Sequence, residues 1–127
     1  MTIRKFFGKI RMFPRKVKWF IQRGKRGYAD CDLWNFDTYL AKLFKNGLND
    51  FANNATGWPD GDYETFEEWI DKIREIAALT DYFNSDNIIN WDSSLTNESW
   101  KEAEEQAYVA RSVFFDWMKE HFCALWD

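Results

Sequence analysis

Apolar residues recur at spacings of three and four along most of the chain, and no stretch alternates strictly between apolar and polar. Ile3, Phe6, Phe7, Ile10 and Phe13 fall on one helical face, and Val17, Phe20 and Ile21 continue it. Pro14 cannot donate a backbone hydrogen bond but suits the first turn of a helix. The pattern therefore predicts one short helix over 3–13 and a second over 14–23, ending before Gly24, with RGKRGY as a loop. A longer helix comes next, capped by Asp30 or Asp32, with Leu33, Phe36, Leu40, Leu43, Phe44, Leu48 and Phe51 as its apolar stripe. Gly47 interrupts that stripe, which points to a close helix crossing or a local break. Asn53, Asn54 and Gly57 stop the helix.

The stretch TGWPDGDYE has turn chemistry, with Trp58 extended before Pro59. Thr65 with Glu68 three residues on forms a capping box for the next helix. Phe66, Trp69, Ile70, Ile73, Ile76, Ala77 and Phe83 make its buried face. Residues 85–96 read as a loop tethered by Ile88, Ile89 and Trp91. The last helix starts near Asn97 and carries Trp100, Ala103, Ala107, Ala110, Phe114, Trp117, Met118, His121 and Leu125 on one side. The expected fold is all-α: a compact single domain over 1–127 with three main helices and a short basic amphipathic N-terminal pair.

Composition adds that aromatics make up 20% of the 127 residues, including eight Trp and twelve Phe. Such side chains bury large areas, which excludes disorder. They also offer more ring surface than one small core hides, so part of it is available for binding. No apolar run reaches the roughly 20 residues of a membrane span. Charges interrupt the N-terminal apolar residues and no cleavage site follows, so a signal peptide is not expected. Cys31 and Cys123 are too few for a disulfide framework and read as reduced, semi-buried small residues in a cytoplasmic protein.

Charge divides the chain more sharply than its net −4 suggests. Residues 1–28 hold ten Lys/Arg and no Asp/Glu, whereas residues 29–127 hold seven Lys/Arg against twenty-one Asp/Glu. Within the basic segment Arg4, Lys5, Lys16, Lys18 and Trp19 suit nucleic acid, and its basic and aromatic faces suit a membrane surface. The favoured expectation is that its apolar stripe packs on 29–127 while its cations face acids there, because burial outweighs exposed ion pairs.

The segments FIQRGKRGYADCDLWNFDTYLAKLFKNGL, GWP, EEWIDKIREI and FFDWMKEHFCALWD resemble a family of small tailed-bacteriophage proteins. The likeness covers most of residues 19–127. It is densest at Arg26, Gly27, Tyr28, Asp30, Asp32, Trp34, Asp37, Tyr39, Leu40 and Ala41, and this chain departs from the pattern near Cys123 and in the loop 85–96. The resemblance implies a phage product working in a host cytoplasm and carries over no catalytic residues.

RGYADCDLWNFD is the densest polar constellation. Asp30, Asp32 and Asp37 with Arg26 suit a cation or phosphate site beside Tyr28 or Trp34, or alternatively N-caps and an Arg–Asp brace. It lacks the Gly-centred pattern of a calcium loop. His121, the single histidine, sits late in a helix on an apolar face and reads as a core or helix-end residue, and Cys123 lies on another face. No Cys/His spacing suits zinc and no Gly-rich loop precedes a strand. The acids Asp62, Glu64, Glu67, Glu68 and Asp71 read as a solvated face, or as a mimic of nucleic-acid phosphates.

These features predict a non-enzymatic protein with no cofactor or metal, acting on a host protein as inhibitor or adaptor. The alternatives are a sink for an anionic nucleotide-like ligand at Arg23, Arg26, Tyr28, Trp34 and Trp58, and nucleic-acid or, less favoured, membrane binding through 1–28. The apolar stripes suit a homo-oligomer interface as readily as a monomer core.

Overall fold

In the structure, a computed structural model, residues 3–91 and 95–126 are described, with side chains from Pro14 onward. The side chains of Arg4, Lys5 and the stripe from Ile3 to Phe13 lie outside the described residues, as do residues 92–94 of the loop 85–96. The fold is all-α. Four α-helices are described: α1 (Ile3–Arg26), α2 (Phe36–Asn54), α3 (Phe66–Leu79) and α4 (Asn97–His121). Among the described residues there is no strand, only an isolated bridge between Asp60 and Tyr63. The chain divides into two units, Met1–Leu40 and Ala41–Asp127.

In the first unit α1 is one helix with Pro14 inside it, where the sequence pattern suggested two. The apolar stripe keeps its phase across the proline, Phe13, Val17 and Phe20 being four and three residues apart, so a single helix satisfies it. The helix also runs past Gly24 to Arg26. Its last turn carries Arg23, Lys25 and Arg26, which suit the negative end of the helix dipole. Gly27 closes it at φ 85°, donating its N–H to the Arg23 carbonyl at 2.9 Å. That left-handed conformation favours glycine.

The expected start of the second helix at Asp30 or Asp32 is instead a 3₁₀ turn over Asp30–Asn35. Asp32 nevertheless acts at its head. The Asp32 N–H donates to the Ala29 carbonyl at 3.0 Å, and the Ala29 N–H donates to the Asp32 carboxylate at 2.8 Å. The α-helix proper begins at Phe36.

The second unit is built around Leu48, Ala52, Trp69, Ile73, Ile76, Ala77, Phe114 and Trp117. These come from α2, α3 and α4 at helical spacing, which is why each helix is amphipathic. Ala103, Ala107 and Ala110 continue the buried side of α4 as the spacing on that face predicted. The upper part of the expected α2 stripe differs: Leu33, Phe36 and Leu43 are exposed, while Leu40 and Phe44 are half-buried. Gly47 marks neither a crossing nor a break. The helix is continuous there and a Cβ would meet nothing within 4 Å.

The caps of α3 and α4 obey their sequences. The Glu68 N–H donates to Thr65 Oγ1 at 3.2 Å, and the Ser99 N–H to Thr96 Oγ1 at 3.1 Å. The Glu68 carboxylate reaches back one residue further than an ideal capping box requires it to, stopping at the Glu64 N–H, from which it accepts at 3.2 Å. Between α3 and α4, Ile89 is buried and Ile88 half-buried, whereas the third expected tether, Trp91, is 59% exposed with its ring edge-on to Trp100. Cys31 is half-buried as expected, but Cys123 is exposed, because α4 ends at His121 and a 3₁₀ turn over Phe122–Ala124 redirects the chain.

Candidate functional site

The polar constellation of RGYADCDLWNFD assembles where α1 ends. One turn of α1 presents Gln22, Arg23 and Arg26 to the 3₁₀ turn. Arg23 grips Asp32 with two donors: Nε at 2.9 Å and an η-nitrogen at 2.7 Å. Arg26 donates to Asp30 at 2.5 Å and to the Tyr28 carbonyl at 2.9 Å, with its guanidinium 4.6 Å over the Tyr28 ring. Gln22, which the sequence did not flag, bonds Asp30 twice: its amide donates to the carboxylate and its carbonyl accepts from the Asp30 N–H, both at 2.9 Å. Lys18 adds a looser ion pair to Asp30 at 3.8 Å. The Tyr39 hydroxyl ties the far side by donating to the Gly27 carbonyl.

The electrostatics result from these bonds. Arg23 and the Ala29 N–H hold the Asp32 carboxyl at about 2, below its ordinary 3.8. Gln22 and Arg26 lower that of Asp30. Both acids are therefore ionised at neutral pH and both guanidiniums are occupied by them. A phosphate arriving at Arg23 or Arg26 has to displace Asp32 or Asp30. Chemically the cluster is a brace for the turn between α1 and α2.

Of the other sequence-selected residues, Trp34 meets Trp19 edge-on at 6.0 Å and is 73% exposed. Tyr28 packs edge-on against Phe36. Asp37 stays local, its carboxylate accepting from the Thr38 N–H at 2.8 Å. Trp58 belongs to the second unit, tilted against Phe66. Lys16 and Lys18 are exposed on α1. Of the expected packing stripe, Val17, Phe20 and Ile21 are exposed, while the polar side of α1 meets Asp30 and Asp32 within the first unit.

His121 lies in an aromatic box. It stacks on Trp117 at 4.7 Å and faces Trp69 and Tyr63 at 6.0 and 5.8 Å, while Nδ1 sits 3.0 Å from the Trp117 carbonyl. The Trp117 indole N–H in turn donates to the Tyr63 hydroxyl at 3.1 Å. Asp62 approaches Nε2 at 3.9 Å. Asp62, Glu64, Glu67, Glu68 and Asp71 are all exposed. Among the described residues no group of three His, Cys, Asp or Glu side chains could hold a metal ion.

A surface the sequence reading missed runs along α4. Tyr108 and Phe115 stand seven residues apart on a flank of the helix turned from the buried alanines, Phe122 follows seven residues on in the 3₁₀ turn after it, and the three are 66%, 48% and 68% exposed. Phe115 is fixed from beneath, edge-on to Phe114 at 5.0 Å and stacked on Phe83 at 5.9 Å. Arg111 on the same flank donates to the Phe83 carbonyl at 2.6 Å. The signal was present as a second apolar period beside the core stripe. No protein-family model, curated protein or solved structure matches the chain.

Proposed function

We propose that this chain is a phage-encoded accessory protein that acts by binding a host protein, as an inhibitor or adaptor, rather than by catalysis. The observation that carries the reading is the exposed Tyr108–Phe115–Phe122 ridge. Exposed aromatic rings dominate protein interfaces, and Phe115, already held by Phe114 and Phe83, loses little freedom on docking. The phage assignment is supported by the sequence pattern around Arg26 to Ala41. Acids exposed along the start of α3 favour a partner with a basic surface, since charge complementarity speeds and orients encounter.

The sink for an anionic small ligand has less support, because Arg23 and Arg26 are engaged by Asp32 and Asp30. The two readings separate in solution. Tagged full-length chain recovered from the bacterial host is expected to retain a stoichiometric host protein, and the variant Phe115→Ser/Phe122→Ser to lose it. Retention by the variant overturns the ridge. A rise in melting temperature with any of a panel of nucleotides favours the sink instead, since a ligand at 100 times its Kd adds about 2.7 kcal/mol.

A further inference from the structure

Within the described half of α1, the side chains that contact the rest of the first unit share one side of the helix. Lys18, Gln22, Arg23 and Arg26 reach Asp30 and Asp32, and Trp19 meets Trp34. At about 100° per residue, Val17, Phe20 and Ile21 fall on the opposite side. They are 39%, 77% and 48% exposed. Lys16 and Lys25 border that strip, one on each edge, and with Arg15 they carry no ion pair among the described residues. No acidic residue occurs before Asp30. Within the first unit the helix is thus fastened by its polar side, with Val17, Phe20 and Ile21 exposed between Lys16 and Lys25.

We propose that α1 lies along an anionic lipid surface, its Val17–Phe20–Ile21 strip entering the headgroup boundary and Lys16 and Lys25 meeting lipid phosphates. A basic face set against an apolar one is the pattern of interfacial helices. Unbroken across Pro14, the 24-residue helix spans about 36 Å along such a surface. No described helix is long and apolar enough to cross a membrane. Charge complementarity selects the occupant. Arg15, Lys16 and Lys25, which no acid pairs among the described residues, call for a negative counter-surface, which an anionic leaflet supplies in any register. A nucleic-acid strand needs rings open to stack among the cations. Here Trp19 is half-buried against Trp34, and the bare strip away from it holds one ring and two aliphatic side chains. This goes beyond the host-protein reading and stands on α1 alone.

The test is co-sedimentation of the full chain with vesicles of phosphatidylglycerol in phosphatidylcholine and with phosphatidylcholine alone. Binding is expected to the anionic vesicles only, falling steeply with added salt. Phe20→Ser/Ile21→Ser is expected to weaken it about tenfold or more. Val109→Ser, an exposed apolar change on α4, leaves it unchanged. Circular dichroism confirms that each variant keeps its helix content. The proposal is overturned if the anionic vesicles leave the chain in the supernatant. Equal binding by Phe20→Ser/Ile21→Ser overturns it as well, as does equal binding to phosphatidylcholine alone. Retardation of an oligonucleotide that requires Phe20 and Ile21, without vesicle binding, reassigns the face to nucleic acid.

Discussion

At the residue scale, one carboxylate organises the first unit. Asp32 takes two donors from Arg23 and one from Ala29, and its side chain is only 9% exposed. Its carboxyl is lowered in the folded chain, to about 2 from 3.8, so its contribution is complete above the unfolded value and disappears as pH falls through the folded one. Acidification from about pH 4 to pH 2 is therefore expected to loosen the turn after α1. Fluorescence of the Trp19–Trp34 pair can track this, and Asp32→Asn should show the loosened signal already at neutral pH. Neighbouring rings on α4 give the opposite contrast. Phe114 is fully buried and Phe115 is 48% exposed. Phe114→Ala is expected to cost about 3–5 kcal/mol in urea unfolding. Phe115→Ser should cost markedly less, while removing binding.

At the element scale, the helices show where local preference is obeyed and where it is overridden. α1 contains both Pro14 and Gly24, two residues that oppose helix, yet the apolar period runs through Pro14 in phase and the last turn, with Arg23, Lys25 and Arg26, continues past Gly24. A sequence reading that stops at the breakers finds two helices; one that keeps to the phase finds one. The cap of α3 was legible because Thr65 and Glu68 satisfy backbone donors by local chemistry alone. The head of α2 was not, because its 3₁₀ geometry depends on Arg23 and Gln22 arriving from α1, eight or nine residues upstream. Gly47, open to solvent inside α2, has no packing reason to be glycine. Gly47→Ala should stabilise the chain by about 0.5–1 kcal/mol, and Thr65→Ala should destabilise it by about 1 kcal/mol. Thermal unfolding measures both.

At the scale of the whole molecule, the buried side of α4, the core of α3 and the all-α class come from periodicity, since apolar spacing dictates which faces must leave water. The polar cluster was also legible as a group: Arg23, Arg26, Tyr28, Asp30 and Asp32 come together. Its character was not, because only the geometry reveals that each guanidinium already holds a carboxylate. Each unit exposes apolar side chains: the Tyr108–Phe115–Phe122 ridge in one and the Val17–Phe20–Ile21 strip in the other. Rings that face solvent in both units are what the proposed binding role requires. The most direct check is titration calorimetry of the recovered host protein with the wild-type chain and with Phe115→Ser/Phe122→Ser. Loss of the ridge is expected to weaken affinity by at least about thirtyfold, corresponding to a contact energy of about 2 kcal/mol. Equal affinity of the two chains would contradict the account.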